Sequence, residues 1–142
     1  MSKARKAKAV RLGAAAVLAL SVAACGHPRE QALVDQFFTA SRLRDKTAAQ
    51  TVSTVFFDPK DQGMVRDFTI DSVGAEEQGE GGGVTTKSVR LSASVESPEG
   101  VTAKKTIFVT MQRQPGAAWM ITGVMVAVPA PPPSRDPSAP PR

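Results

Sequence analysis

The spacing of apolar residues changes once along this chain, near Met64, and that change restricts the fold more than any other feature. Before it the repeat is helical. Leu33, Phe37 and Ala40 fall at i, i+4 and i+7, with Val34, Phe38 and Ser41 beside them, so one side of a helix carries a broad apolar stripe. Arg29, Glu30, Gln31, Arg42 and Arg44 fall largely on the other side or at the ends, and Pro28 suits a position at or just before the helix start. Asp45 is placed to cap a second short helix reaching Val52. Thr51 to Phe57 is rich in β-branched and aromatic residues and has no settled element, while Asp58-Pro59 and Asp61-Gln62-Gly63 signal turns.

After Met64 the repeat is two. Over 65–73, Phe68 and Ile70 alternate with Asp67, Thr69 and Asp71. Over 87–96, Val89, Leu91, Ala93 and Val95 face one way, and Ser88, Arg90, Ser92 and Ser94 the other. Val101, Ala103, Ile107, Val109 and Met111 share a face over 101–113. Over 119–128, Trp119 and Ile121 oppose Met120, Thr122 and Val124. Ser97-Pro98-Glu99-Gly100 and Gln114-Pro115-Gly116 are turn sequences, so the strands form an antiparallel meander. Gly74 to Gly83 holds five Gly and three Glu and reads as a flexible acidic loop. Helices followed by a curved antiparallel sheet make an α+β fold.

The ends of the chain are different in kind. Lys3, Arg5, Lys6, Lys8 and Arg11 precede an uncharged, mostly apolar run of 13 residues, Leu12 to Ala24. At about 1.5 Å per residue this run spans about 20 Å, short of the roughly 30 Å hydrocarbon core. It has the length of a signal-peptide core. Seven of the 14 residues from Pro129 to Arg142 are proline, a composition that cannot pack a core and favours a polyproline II-biased, disordered tail. A solubilising tail is the preferred reading; a ligand for an SH3-like groove or for cell-wall polymer is the functional alternative.

Charge and residue inventory exclude several chemistries. The net charge is +5, but all five excess cations lie before residue 25, and the remaining 13 cations face 13 acids. A basic groove for nucleic acid is therefore not expected. One cysteine and one histidine, Cys25 and His27, exclude a disulfide framework and a Cys-cluster zinc site. No metal or cofactor is expected. Glu76, Glu77 and Glu80 read as a solvated acidic run, and Gly79 to Gly83 lacks the Lys-Ser/Thr of a phosphate loop. Phe37, Phe38, Phe68, Phe108 and Trp119 are candidates to line a pocket, with filling the core of a small domain as the favoured reading.

Two resemblances add to this reading. Val22-Ala23-Ala24-Cys25-Gly26 resembles a bacterial lipobox. The resemblance implies cleavage between Ala24 and Cys25, diacylglyceryl transfer to the Cys25 sulfur, and acylation of the new amino terminus. An ordinary secreted protein with a free thiol is the alternative. Multiple acyl chains anchor where a single chain is marginal. Gly26, in place of Asp, favours the outer membrane if the source is Gram-negative.

The segment Val34-Asp35-Gln36-Phe37-Phe38-Thr39-Ala40, with Leu43-Arg44-Asp45-Lys46-Thr47-Ala48-Ala49 and the terminal Trp119-Met120-Ile121-Thr122-Gly123-Val124, resembles the nuclear transport factor 2-like superfamily. That family folds a long helix into a cone-shaped sheet; a cystatin-like sheet around a helix is the nearest alternative. With the lipobox and a neutral domain, this chain is expected to bind a small apolar ligand or an envelope partner; many members of the superfamily form homodimers through the sheet face, although fold does not fix assembly. Some members use a cavity carboxylate as a proton-transfer base, with Tyr or a protonated acid as the oxyanion donor. This chain has no Tyr, and Asp35, Asp67 and Asp71 are its only candidate bases, so a non-catalytic role is expected over an isomerase or cyclase. The resulting organisation is a signal peptide over 1–24, a lipid-anchored tether over 25–28, an α+β domain over 29–128 and a Pro-rich tail over 129–142. The whole would lie in the cell envelope, facing the periplasm or exterior. The remaining alternative is a structural role exerted through the tail.

Overall fold

A 16-residue helix, α1 (Pro28–Leu43), lies against an antiparallel sheet that the rest of the chain builds. The structure is a computed structural model that describes residues 26–128; the signal segment, Ala24, Cys25 and the Pro-rich tail lie outside the described residues. Pro28 opens α1, where a missing N–H costs nothing. The predicted stripe is the buried one: Val34, Phe37, Phe38, Ala40 and Ser41 face the sheet, with Leu33 half-buried at its edge. The helix stops at Arg44, which takes a left-handed conformation, and Asp45 then caps α2 (Lys46–Gln50) by accepting a bond from the Ala48 N–H. Thr51 to Phe57 forms no strand of its own. Its backbone bridges Ile121 on both sides, Ile121 N–H to Val52 and Thr54 N–H to Ile121, while Ser53 turns its hydroxyl to the Ala49 and Val55 carbonyls. The Asp58-Pro59 turn becomes a single helical turn, α3 (Pro59–Gln62), capped by Asp58.

The sheet is α+β as expected: β1 (Met64–Val73), β3 (Thr85–Glu96), β4 (Thr102–Arg113) and β5 (Met120–Val126) lie in sequence order, every pair antiparallel. The acidic stretch is more ordered than its glycines suggest. Glu77 and Gln78 form a short strand, β2, on the start of β3, followed by a 3-10 turn over Glu80–Gly82.

Three extra residues set which side chains reach the core. In β1, Val65, Phe68, Ile70 and Val73 do not follow a single alternation. Arg66 and Asp71 each add one residue against β3, so all four apolar residues pair with Val95, Ala93, Leu91 and Val89 on the same face. In β5, Thr122 is the extra residue. Strict alternation puts Val124 opposite Ile121; the bulge instead returns Val124 and Val126 to the core side, against Val109 and Ile107. Each bulge also increases local twist, which curves the sheet around α1. The core face of β4 is apolar only from Ile107 onward. Val101, just before the strand, and Ala103 keep the same phase but stand exposed.

Both edges of the sheet are guarded. The two bulges and the charged Arg66, Asp67 and Asp71 interrupt β1, and the 52–54 backbone covers β5 at Ile121. Such devices oppose strand addition by another chain.

Candidate functional site

The aromatic residues expected to line one pocket separate into three places. Phe37 and Phe38 enter the core with Phe57, which is fully buried. Phe38 is the hub: its ring meets Phe37 at 5.2 Å, Phe57 at 5.4 Å and the half-buried Phe68 at 5.9 Å, in edge-on or tilted geometry. The Ser41 hydroxyl ties α1 to this cluster by donating to the Phe57 carbonyl at 2.5 Å. The volume between helix and sheet is filled by these rings together with Leu91, Ile107, Val109, Met111 and Ile121. Phe108 is elsewhere. It alternates with Ile107 and Val109, so it stands on the outer face of β4, 36% exposed. Trp119 lies at the far end, next to Lys87.

The three candidate bases are also divided. Asp35 and Asp67 border the same shallow cleft of about 220 Å³ between α1 and β1, floored by Phe38 and Phe68 and flanked by Arg42 and Arg66. Both carboxylates are exposed, and Asp67 accepts from the Ser94 hydroxyl at 3.1 Å. Asp71 is on the outer face, held by Ser92 at 2.8 Å and near Arg90 at 3.8 Å. A proton-transfer base works in a site that excludes water; these three groups face it. A larger cleft of about 440 Å³ runs beside α2, bordered by Lys46, Gln50, Phe56 and Met120. Among the described residues no three of His, Cys, Asp and Glu come together as a metal site. Glu77 and Glu80 are exposed, and Glu76 is engaged elsewhere.

Glu76 belongs to a charge cluster that reading the sequence missed. Lys87 occupies the core phase of β3, one step before Val89, and is 7% exposed. Its ammonium donates to Glu30 in the first turn of α1 at 2.5 Å, lies 3.7 Å from Glu76, and sits 4.0 Å from the centre of the Trp119 ring. Arg113 packs on the same ring at 4.7 Å and reaches Glu76 at 3.4 Å. Two cations and two carboxylates thus neutralise one another around an indole, the pairing a buried ammonium requires. Burial pushes the Glu30 carboxyl up, but the hydrogen bond and positive charge of Lys87, with a backbone bond, outweigh it and hold the group below its ordinary value. The signal was present in the sequence: a lysine in phase with four core residues requires a partner acid. Nothing local identifies that acid as Glu30, 57 positions away.

The outer face of the sheet is the other organised surface. Across the strands run Ser72, Arg90, Phe108 and Met125 in one row, Thr69, Ser92 and Thr106 in the next, and Asp67, Ser94 and Lys104 beyond. Ser88, Thr110 and Gly123 form the row on the other side. Phe108 and Met125 (65% exposed) are its two large apolar side chains.

Comparison with protein-family models, with curated proteins and with solved structures returns no match to this chain.

Proposed function

We propose that this chain is a lipid-anchored protein of the cell envelope whose domain is a non-catalytic binding module. The anchoring half rests on the sequence: the one cysteine, Cys25, ends a short apolar run behind a cationic start. No helix among the described residues is long and apolar enough to cross a membrane. The binding half rests on one observation. The aromatic and aliphatic side chains that would line a cone-shaped cavity pack on one another as one buried cluster, and the only exposed aromatic ring among the described residues is Phe108, on the sheet's outer face. A filled interior favours surface recognition over turnover in a cavity. Within the α+β class, a long helix lying on a bulged, curved sheet supports the nuclear transport factor 2-like reading, with the cystatin-like arrangement as its neighbour.

Two experiments test the halves separately. Cys25→Ser is expected to abolish fatty-acid labelling and to move the protein from the membrane to the soluble fraction. Continued labelling and membrane retention reject the anchor. For the domain, a photo-reactive side chain placed at position 108 in growing cells is expected to capture an envelope component, whereas the same group at Lys60, an exposed position on α3, captures none. Equal capture at both positions, or none at either, rejects the outer face as the binding surface. The cavity-enzyme alternative gains if turnover is found and Asp35→Asn or Asp67→Asn abolishes it.

A further inference from the structure

We propose that the domain stands upright on the bilayer, meeting the lipid headgroups with the end of the sheet that carries the start of α1, the β4–β5 turn and Trp119, and holding the β3–β4 turn away from them. The proposal rests on the anchor reading above and names the surface of the domain that meets the lipid.

The chain between lipid and fold is short. Gly26 and His27 alone separate Cys25 from Pro28, the first residue of α1. Three residue steps span at most about 11 Å. The start of the helix is itself fixed to one end of the sheet. Glu30, in its first turn, accepts from Lys87 at 2.5 Å, and Lys87 stands near the start of β3, opposite Met111 near the end of β4. The last turn of the helix lies over the other end, where Arg42 donates to the Arg66 carbonyl at 3.3 Å near the start of β1. α1 therefore runs along the sheet, and its N-terminus directs the chain out past the end built from Thr85, Arg113 and Met120. A lipid on Cys25 keeps that end beside the headgroups.

The surface at this end suits contact without insertion. The exposed large apolar side chains of the described residues are Leu43, Val101, Phe108, Met125 and Val128. None of them lies in the first turn of α1, in 76–87 or in 111–120. Exposed Arg29 and partly exposed Arg113 are set against exposed Glu77 and Glu80, so no basic excess draws the domain onto anionic lipid. Proximity comes from the tether, as a short linker turns a second contact into an intramolecular one. Trp119, held between Lys87 and Arg113, is brought to headgroup level, where an indole is favourable.

This orientation decides what the rest of the domain can reach. β4 has 12 residues, and at about 3.4 Å per residue its start stands about 37 Å from its end. Phe108, five positions before Arg113, is then raised about 17 Å along the strand. Leu43 and Val101, at the opposite end, are carried farther from the lipid. The exposed apolar side chains therefore face the envelope sideways and outward, where a partner of the binding module can approach.

Trp119 is the one tryptophan of the chain, so its emission reports on this end. The lipidated chain is purified from membranes and reconstituted into phosphatidylcholine vesicles in which a fraction of the headgroups carries a nitroxide. Strong quenching of Trp119 is expected. Combining Trp119→Phe with Val101→Trp moves the indole to the opposite end, and several-fold weaker quenching is expected there. If Trp119→Phe unfolds, Val101→Trp alone gives the same comparison, its added emission being the unquenched part. A Gly-Ser insert of about 15 residues between His27 and Pro28, spanning about 20 Å on average, should lower the quenching of Trp119 toward the level at position 101. Equal quenching at the two positions, stronger quenching at 101, or an unquenched Trp119 overturns the proposal. Quenching of Trp119 that the insert leaves unchanged also overturns it, because the tether is then not what orients the domain. Failure of the chain to enter the vesicles rejects the anchor reading together with the orientation, whereas incorporation without the expected pattern rejects the orientation alone.

Discussion

Replacing Glu30 by Gln is expected to destabilise the domain by about 2–3 kcal/mol, and adding Lys87→Met to that variant is expected to restore most of the loss. Removing one member of a buried ion pair strands the other, at a cost of about 3–5 kcal/mol. Here Glu76 at 3.7 Å and the Trp119 ring at 4.0 Å still shelter the ammonium, which brings the expectation to the bottom of that range or just below it. The double variant removes the buried charge altogether and leaves a methionine of similar length in the apolar row of Val89 and Leu91. Chemical denaturation of the two single variants and the double variant closes a thermodynamic cycle. If Glu30→Gln unfolds at the wild-type midpoint, the pair holds nothing together.

The same pair sets a pH dependence whose direction follows from Glu30. Its folded carboxyl titrates below its ordinary value of 4.5. Its stabilisation is therefore fully present above that value and disappears as pH falls through the lower folded value. The gap between wild type and Glu30→Gln should hold constant near neutrality and shrink on acidification below about pH 4. A gap that widens toward acid pH contradicts the assignment.

The second large effect is expected at Gly63, the residue that turns α3 into β1. Its φ is +84° and ψ 174°, a region open almost only to glycine. A Cβ there would lie 2.8 Å from the Glu96 carbonyl oxygen and 2.8 Å from a Val95 methyl. The first is backbone at the end of the β1–β3 ladder, where Glu96 pairs with Met64, and cannot rotate away as a side chain would; the second belongs to a buried core residue. Backbone strain of about 1–3 kcal/mol adds to this overlap. Gly63→Ala should therefore cost about 3 kcal/mol or more and lower the melting temperature by roughly 10–20 °C for a domain of this size. By contrast Gly116→Ala, in the exposed β4–β5 turn, meets no neighbouring atom and carries only the strain of its positive φ. Calorimetry of both variants separates packing from backbone conformation; equal losses would show that the Glu96 contact relaxes.

Much of the fold was legible along the chain because local geometry enforces it. A 3.6-residue apolar repeat can bury its stripe only as a helix, so α1 appears with the expected face. Aspartate before a short polar segment caps it, so α2 starts at Lys46. Alternation with turn signals dictates β3 and β4 and puts Ile107, Val109 and Met111 inside. That same alternation already put Phe108 outside, where the structure places it, although ring size alone had suggested a pocket residue.

Tertiary structure decided what depends on partners distant in the chain. A bulge is invisible to a strict period of two. Whether Arg66, Asp71 and Thr122 are extra is settled only by the strand beside them, and each one flips the phase of every residue beyond it. Thr51 to Phe57 is drawn from strand-like composition into a backbone bridge because Ile121 offers unpaired groups at the sheet edge. The acidic loop gains order because Glu76 is claimed by Lys87 and Arg113. Local sequence thus determined the elements and their apolar faces, through the geometry of the backbone. The closure of the charge cluster and the partition of the aromatics between core, cluster and outer face arose in the folded chain, because desolvation makes each buried group depend on whichever neighbour the fold brings to it.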